Sequence, residues 1–472
     1  MRKYLEMDYK KEIELFLIDR EKRVYHQEEI LKSKGGLSLV TVRINYPGLE
    51  KSNYVTDSIV KIICNEISLF YKNYIVFREE YKSREGCIGH FIFNIEPLIL
   101  KKYLIELEEN HILGRCVDLD VYYLNKSGME NSNELKGVSR RDIGKSFRKC
   151  FICEEDAIIC SRLQKHELEE IKEFFEMTYN RYILLYKKRE KISNIVANMA
   201  LKAIISEVST IPSFGLVSPT TTGSHNDMDY YTFLDSSFAI TPFLKEMFYV
   251  GYSFRNSEEI FKTIRLIGRE CEKTMFEVTK GVNTHKGMIF LMGVTIASIG
   301  KVIYEKKSFN DIEAILKDMC KDILDDFNEI DKKDVLTNGE KLYIKYGFKG
   351  VRGEVASGLS VIFEKVLPEY LNSDLKGHKL YAHTLLRLMS ILEDSTIVHR
   401  HDINKLRYIQ FKAKEILSIG GFKTQLGIDM AIKFELECIE DNISPGGSAD
   451  LLAITIFLGE IKNYFNSLNN IK

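Results

Sequence analysis

The sequence contains no tryptophan and only seven prolines in 472 residues. So few helix-breaking residues leave room for long helices. It also lacks an excess of either charge: 67 Lys and Arg stand against 68 Asp and Glu, a formal net charge of −1. That balance excludes a protein that coats nucleic acid or an anionic membrane non-specifically, while it permits local basic pockets for phosphate. No uninterrupted apolar run reaches the ~18 residues of a membrane span. The opening Met1-Arg2-Lys3-Tyr4-Leu5-Glu6-Met7-Asp8 has no apolar core before its acids, so no secretory signal is expected. The expectation is a soluble, cytoplasmic protein with neither nucleic acid nor membrane as partner. What is present suffices for a sizeable core: 45% apolar and 29% charged residues, in a chain about three times the length of a typical domain. Nine cysteines occur, three of them within Cys150 to Cys160. In such a chain they read as thiols or metal ligands rather than disulfides.

The first third has mixed character. A helical start leads to Gly35-Gly36, then the apolar-rich run Leu37 to Ile44 and the turn Asn45-Tyr46-Pro47-Gly48. A helix is expected over Asp57 to Tyr71, strands over Tyr74 to Phe77 and Ile88 to Phe93, a helix opened by Pro97, and a strand over Gly114 to Tyr123. Past Lys165 the pattern changes. Glu167 to Lys191 is charged, helix-periodic and free of Gly and Pro. Beyond it apolar residues recur at helical spacing, as in Ile260, Ile264, Ile267 and Cys271. No repeat of 20–50 residues is evident by eye. Two domains are expected, an α+β domain over residues 1–176 and a larger, nearly all-α domain over 186–472.

Two carboxylates, Asp118 and Asp120, sit two apart in the last expected strand, so they share a face. Together they could hold a Mg²⁺ that bridges phosphate oxygens, or they could be a solvated strand face. Arg115, on the opposite face by strict alternation unless Gly114 bends the strand entry, would suit phosphate. Cys150, Cys153, Cys160 and His166 follow within seventeen positions, as a tetrahedral zinc set or as a cluster of buried thiols.

Four glycine-rich turns punctuate the helical part. Gly223-Ser-His225-Asn-Asp227-Met-Asp229 offers an imidazole and two carboxylates for Mg²⁺ or proton transfer. Gly281-Val-Asn283-Thr-His285-Lys286-Gly287 places an amide, an imidazole and a cation at an expected helix start, where unpaired N–H groups attract phosphate. Gly350-Val-Arg352-Gly353-Glu354 with Ser357-Gly358, and Ser444-Pro-Gly446-Gly447-Ser448-Ala-Asp450, repeat the theme. Each alone is explained by turn and cap chemistry. Four in one domain point to a single phosphate-rich pocket. There is no Gly-x4-Gly-Lys-Ser/Thr loop, so a familiar ATPase is excluded.

These four motifs, in order over roughly Glu207 to Leu458, resemble the triphosphoribosyl-dephospho-CoA synthases, the CitG family. The first domain is similar to the citrate lyase holo-acyl-carrier-protein synthases, CitX, through Arg20 to Gln27, Asn45-x-Pro47-Gly48 with Lys51, Gly114-Arg115-x2-Asp118-x-Asp120, Ser139-Arg140 and the cysteine tail. Both in this order resemble the fused CitXG form. Two stretches depart from the synthase pattern: Pro212-Ser213-Phe214 with Ser218, and Asp394-Ser-Thr396 to His401-Asp402; the second turn accordingly carries less weight.

The resemblance implies a nucleotidyltransferase-like first domain and a second that joins the ribose of ATP to 3′-dephospho-CoA with release of adenine. The first would then load a serine of the apo acyl carrier (gamma) subunit of citrate lyase, releasing pyrophosphate. It implies Mg²⁺ as cofactor, on Asp227 and Asp229 and on Asp118 and Asp120. His225 or Glu354 would move protons. Arg115, Asn283, Lys286, Arg352, Gly446, Gly447 and Ser448 would bind phosphates. Three alternatives stay open: the equivalent maturation of malonate decarboxylase, an ADP-ribose-type hydrolase, and a non-catalytic, zinc-tied helical interaction protein.

Overall fold

The computed structural model describes residues 2–126, 133–328, 330 and 336–469. The chain divides into two compact units, Met1–Lys188 and Arg189–Lys472.

The first unit is built on a five-stranded sheet. Its strands are β1 (Ser38–Ile44), β2 (Ile75–Ser83), β3 (Gly86–Phe93), β4 (Val117–Lys126) and β5 (Asn133–Val138), in the order β2-β3-β1-β4-β5. Every pairing is antiparallel. Helices α1 (Arg2–Lys34), α2 (Tyr54–Tyr71), α3 (Pro97–Asn110) and α4 (Ala157–Leu163) accompany it. One sheet face is apolar, with Val40, Val42, Phe91, Phe93, Leu119 and Val121 at most 1% exposed, and α2 and α3 pack on the sheet. Burying each such side chain contributes about 1.5–3 kcal/mol. The other face receives α1. There Ile30 and Leu31 pack on Leu39 and Ile92, and Gln27 donates to Thr41 Oγ1 at 2.6 Å. Beyond these, the face carries Arg43, His90, Asp118 and Asp120 together with the buried Ile88.

The strand expected over Gly114 to Tyr123 begins later. Gly114–Cys116 forms a 3₁₀ turn and β4 starts at Val117. Gly114 lies so close to the end of α3 that an added Cβ would sit 2.3 Å from Leu107 O. Strand β5 was not anticipated: in Asn-Glu-Leu-Lys-Gly-Val only Leu135 and Val138 are apolar, too few to register as alternation.

The long helix α5 (Leu168–Val208) contains the unit boundary. The second unit is mostly helical. It comprises α6 (Tyr230–Gly251), α7 (Ser257–Val278), α8 (Lys286–Tyr304), α9 (Ile312–Met319), α10 (Asn338–Tyr346), α11 (Gly350–Ala356), α12 (Leu367–Leu371), α13 (His378–Met389), α14 (Ser395–Arg400), α15 (Ile403–Ser418), α16 (Gln425–Glu440) and α17 (Gly446–Asn469). Two helices are apolar all round and therefore central. In α17, Leu451 to Leu458 are all at most 1% exposed. Among the described residues α8 alone is long and apolar enough to cross a membrane, and most of it is buried within the fold.

Candidate functional site

In the first unit, alternation along β4 sends Val117, Leu119 and Val121 into the core and Asp118 and Asp120 together to the opposite face. Register sets their neighbours: β1 places Arg43 opposite Asp118 and Thr41 opposite Asp120. The Arg43 guanidinium reaches Asp120 at 2.7 Å, Asp118 at 3.9 Å and Glu85 at 3.4 Å. Arg23 of α1 holds Glu85 at 2.7 Å. Arg148 lies 2.8 Å from Asp118 and 2.5 Å from Glu108. Burial pushes the Asp118 carboxyl above its ordinary range, against the pull of Arg148. Burial likewise lowers the Lys51 ammonium, which feels Asp118 and Arg43. Two carboxylates edged by Arg43, Arg148 and Lys51 form a charge-dense patch suited to a divalent cation and phosphate. Arg115 is engaged elsewhere. Lying in the 3₁₀ turn rather than in the strand, it donates to the carbonyls of Lys149, at 3.0 Å, and Cys150.

Among the described residues, two groups of metal-ligating side chains also lie in this unit. The ligand atoms of Cys150, Cys153, Cys160 and His166 come within 4.8 Å of one another, as do those of His26, Glu79 and His90. In the second group both imidazoles meet Glu79 Oε1, His26 at 2.5 Å and His90 at 3.1 Å.

In the helical unit the four turns converge on the start of α17. Ser444, just ahead of it, lies 2.9 Å from His225 Nε2. The Gly447 and Ser448 amides and the Ser448 hydroxyl donate to Asp394 at 3.3, 2.8 and 3.0 Å. Asp450 lies against Gly287 of α8, where an added Cβ would sit 2.2 Å from Asp450 Oδ2. Gly447 and Glu354 line one cavity. The turn expected to hold phosphate on Gly446, Gly447 and Ser448 thus presents two of its amides to a carboxylate. The Asp394 carboxyl accepts from helix-terminal N–H groups that would otherwise be open to an anion, and it also caps α14 through Thr396 N at 3.0 Å.

Burial makes this hub a chain of weakly acidic carboxyls. Asp394 is raised by burial despite its donors. Asp450 and Glu207 are each pushed up to about 8, by desolvation first and then by a neighbouring acid, Asp394 for Asp450 and Asp450 for Glu207. His225 is lowered by burial and by Arg400, 3.2 Å away. Asp227 is exposed, 3.8 Å from His225 Nδ1. Asp229 caps α6, its Oδ1 accepting from Thr232 N at 2.8 Å and from the Thr232 hydroxyl at 2.7 Å. Those bonds hold its pKa below the ordinary value. His285 is a core histidine at the foot of α8, 2% exposed and 2.7 Å from Ser236 Oγ.

Two adjoining cavities share Val351 and Ser395 in their walls. The larger, about 710 Å³, carries Arg265, Arg269, Lys286 and Arg352 against the acid Glu272, with Asn283 at its edge. Lys286 Nζ is 3.5 Å from Glu272, and Asn283 Oδ1 accepts from Lys286 N at 3.2 Å. The smaller, about 380 Å³, carries Lys349, Glu354, Glu393, Asp394 and Ser357. Burial, reinforced by Glu393, pushes the Glu354 carboxyl up to about 7. Its Oε2 is buried without a hydrogen-bond partner among the described residues. Lys286, Arg352 and Asn283 therefore share one cavity and Glu354 and Gly447 the next, while His225, Asp227 and Asp229 line neither; of these three, His225 meets the hub through Ser444.

Sequence reasoning missed Arg265 and Arg269, because α7 registers only as an amphipathic helix. One signal was available: two arginines at i, i+4 repel each other on a helix face unless an anion sits between them. It also missed Arg43 and Arg148, whose places beside the carboxylates follow from strand register and loop path.

Comparison with known proteins follows the same division. Residues 11–182 match the CitX family, described as apo-citrate lyase phosphoribosyl-dephospho-CoA transferase. Residues 193–469 match the CitG family, described as ATP:dephospho-CoA triphosphoribosyl transferase. Protein CitXG of Leuconostoc mesenteroides subsp. cremoris is 30% identical over 464 residues, covering 94% of this chain and 96% of that protein. Protein CitXG of Haemophilus influenzae is 32% identical over 461 residues, 94% of this chain and 95% of that one. A probable 2-(5''-triphosphoribosyl)-3'-dephosphocoenzyme-A synthase of Vibrio cholerae is 36% identical over 282 residues, 58% of this chain and 90% of that one.

Proposed function

The chain belongs to the CitXG family of fused CitX and CitG proteins, and from that premise we propose that its helical unit builds a prosthetic-group precursor and its sheet-bearing unit attaches it to a carrier. It is a bifunctional transferase. In the first reaction the 2′-hydroxyl of 3′-dephospho-CoA attacks the anomeric carbon of the ATP ribose. The bond to adenine breaks, adenine leaves with a proton, and the triphosphate is kept. The observation that carries this assignment is the cationic 710 Å³ cavity beside a carboxyl whose pKa lies about 7.

Charge builds on the ribose ring as the glycosidic bond stretches, so the reaction needs an acid for the leaving base and an anion near the anomeric carbon. Glu354, half-protonated near neutrality, is the acid that hands a proton to a ring nitrogen of adenine. Arg265, Arg269, Lys286 and Arg352 bind the triphosphate. Asp394 is the anion of the smaller cavity, seated by Gly447 and Ser448.

Asp227 and Asp229 line neither cavity, but as carboxylates they suit Mg²⁺, a hard cation that would arrive with the triphosphate and offset its charge. The cap of α6 uses Asp229 Oδ1 for both of its bonds to Thr232, which fixes the carboxylate and leaves Oδ2 for this role. Asn caps as well as Asp but lacks the charge. Asp229→Asn is therefore expected to leave the melting temperature unchanged and to remove adenine release from ATP and dephospho-CoA. Near-normal release, followed by chromatography of free adenine, would reduce Asp229 to a cap.

In the second reaction a serine hydroxyl of the apo acyl carrier (gamma) subunit of citrate lyase attacks the α-phosphorus of the precursor. The bond to the β-phosphate oxygen breaks, and pyrophosphate leaves with the proton that the hydroxyl gives up. Such a step depends on positioning and charge stabilisation, which Arg43, Arg148 and Lys51 around Asp118 and Asp120 supply. Mg²⁺ on that carboxylate pair would offset the charge of the departing pyrophosphate. The match of residues 11–182 to the apo-citrate lyase transferases supports citrate lyase rather than malonate decarboxylase as the source of the carrier. Substrates of this kind, ATP and a CoA precursor, support a cytoplasmic location.

A further inference from the structure

The cysteine loop of the first unit takes no part in either reaction as described, yet its donor geometry is specific. Cys153 Sγ lies 3.4 Å from Cys160 Sγ and 3.4 Å from His166 Nε2. Two thiolates at about 2.3 Å from one tetrahedral zinc stand ~3.8 Å apart, so the spacing is close to that of ligands on a common ion. All three cysteines are free thiols. The backbone N–H groups of Ile152 and Cys153 hydrogen-bond the Cys150 sulfur.

A second, independent observation concerns the imidazole. His166 Nδ1 lies 3.5 Å from Glu170 Oε2 while Nε2 faces the sulfurs. A carboxylate on the far nitrogen of a ligand histidine fixes the tautomer with the near nitrogen free to bind metal. The segment also has little else to hold it. Between 144 and 156 its regular pairing is one bridge, Lys149 to Asp156, with the Phe151 ring on Phe174 and Phe175 at 5.1 and 5.4 Å.

We propose that Cys150, Cys153, Cys160 and His166 bind one Zn²⁺ in a closed, structural site that positions Arg148 on the Asp118 carboxylate. Four protein ligands leave no open position for substrate or water, so the ion ties the chain rather than catalysing. Arg148 and Lys149 run directly into the first ligand. Arg148 donates to Val117 O at 3.1 Å and to Asp118 Oδ1 at 2.8 Å. Arg115 clamps the same point through the Lys149 and Cys150 carbonyls. Arg148 is a positioning residue in this scheme, and its part rests on Asp118 belonging to the transfer site; the zinc content does not.

The test uses the full chain as purified. Elemental analysis is expected to find one zinc per chain, lost in Cys153→Ser. Glu170→Gln, a surface change that leaves every ligand in place, is expected to weaken zinc retention against a chelator roughly 10- to 100-fold. Exchange for Co²⁺ is expected to give strong tetrahedral visible bands and a thiolate charge-transfer band in the near ultraviolet. The His26, Glu79 and His90 group has no sulfur, so binding there gives no such band. Absence of zinc together with absence of the thiolate–cobalt band would overturn the site. Stripping zinc is expected to slow carrier loading from preformed precursor and to leave adenine release intact. Unchanged loading by the stripped protein would overturn the positioning of Arg148.

Discussion

Replacing Glu354 with glutamine is expected to slow adenine release roughly 10²- to 10⁴-fold, the usual contribution of a positioned general acid. Glutamine keeps the shape of the side chain and removes the proton, so the melting temperature should hold. The pH dependence supplies the sign. Desolvation first, and Glu393 second, raise the folded pKa of this carboxyl to about 7, so it is protonated below that value and ionised above it. An acid catalyst is active in its protonated form. The rate of adenine release should therefore be flat on the acid side and fall as pH rises through about 7. The glutamine variant should lose that limb along with the rate. Loading of the carrier from preformed precursor should be untouched, because it uses the other unit. If the variant keeps both the rate and the descending limb, Glu354 is not the acid.

The second large effect belongs to Asp120. Asp120→Asn keeps size and hydrogen bonding on a face that already holds Arg43 at 2.7 Å, and it removes one of the two carboxylates available to a cation. Loss of one preorganised charge at a phosphoryl-transfer centre costs on the order of 10²-fold or more. Carrier loading should fall by that amount while adenine release stays at its full rate. Arg43 retains Glu85 at 3.4 Å and Asp118 at 3.9 Å as partners, which limits collapse of the patch. Normal loading by this variant, measured with preformed precursor, would remove the carboxylate pair from the mechanism.

Part of this is legible in the sequence, and the reasons are local. Alternation over Val117 to Val121 was enough to pair Asp118 with Asp120, because the core face of a strand is set by period two. Glycine turns with polar neighbours were visible one by one, and their number suggested a single phosphate-rich pocket; their residues instead divide between two adjoining cavities, with His225, Asp227 and Asp229 lining neither. What stayed hidden depends on partners distant in the chain. Arg43 meets the carboxylates only through the β1–β4 register, and Arg148 only through a loop with almost no regular pairing. Arg115 was placed by strand alternation unless Gly114 bent the entry, and Gly114 does open a turn there.

Asp394 is the most instructive case. Its turn departs from the synthase pattern at Thr396 and carried little weight in the sequence. Yet its carboxylate meets the first amides of α17, a contact between residues 53 and 54 positions apart that no local pattern announces. The same long range conceals Glu207, whose carboxyl is weakened by burial and by Asp450 on another helix.

The central claim is that two transfers, one per unit, assemble a prosthetic group and mount it on a carrier. Intact-mass measurement of apo acyl carrier after incubation with the protein, ATP, Mg²⁺ and dephospho-CoA tests it most directly. The carrier should gain one phosphoribosyl-dephospho-CoA, with adenine and pyrophosphate released in equal amounts, and omission of dephospho-CoA should abolish all three. An unmodified carrier with no free adenine, or adenine released without any adduct, would contradict it.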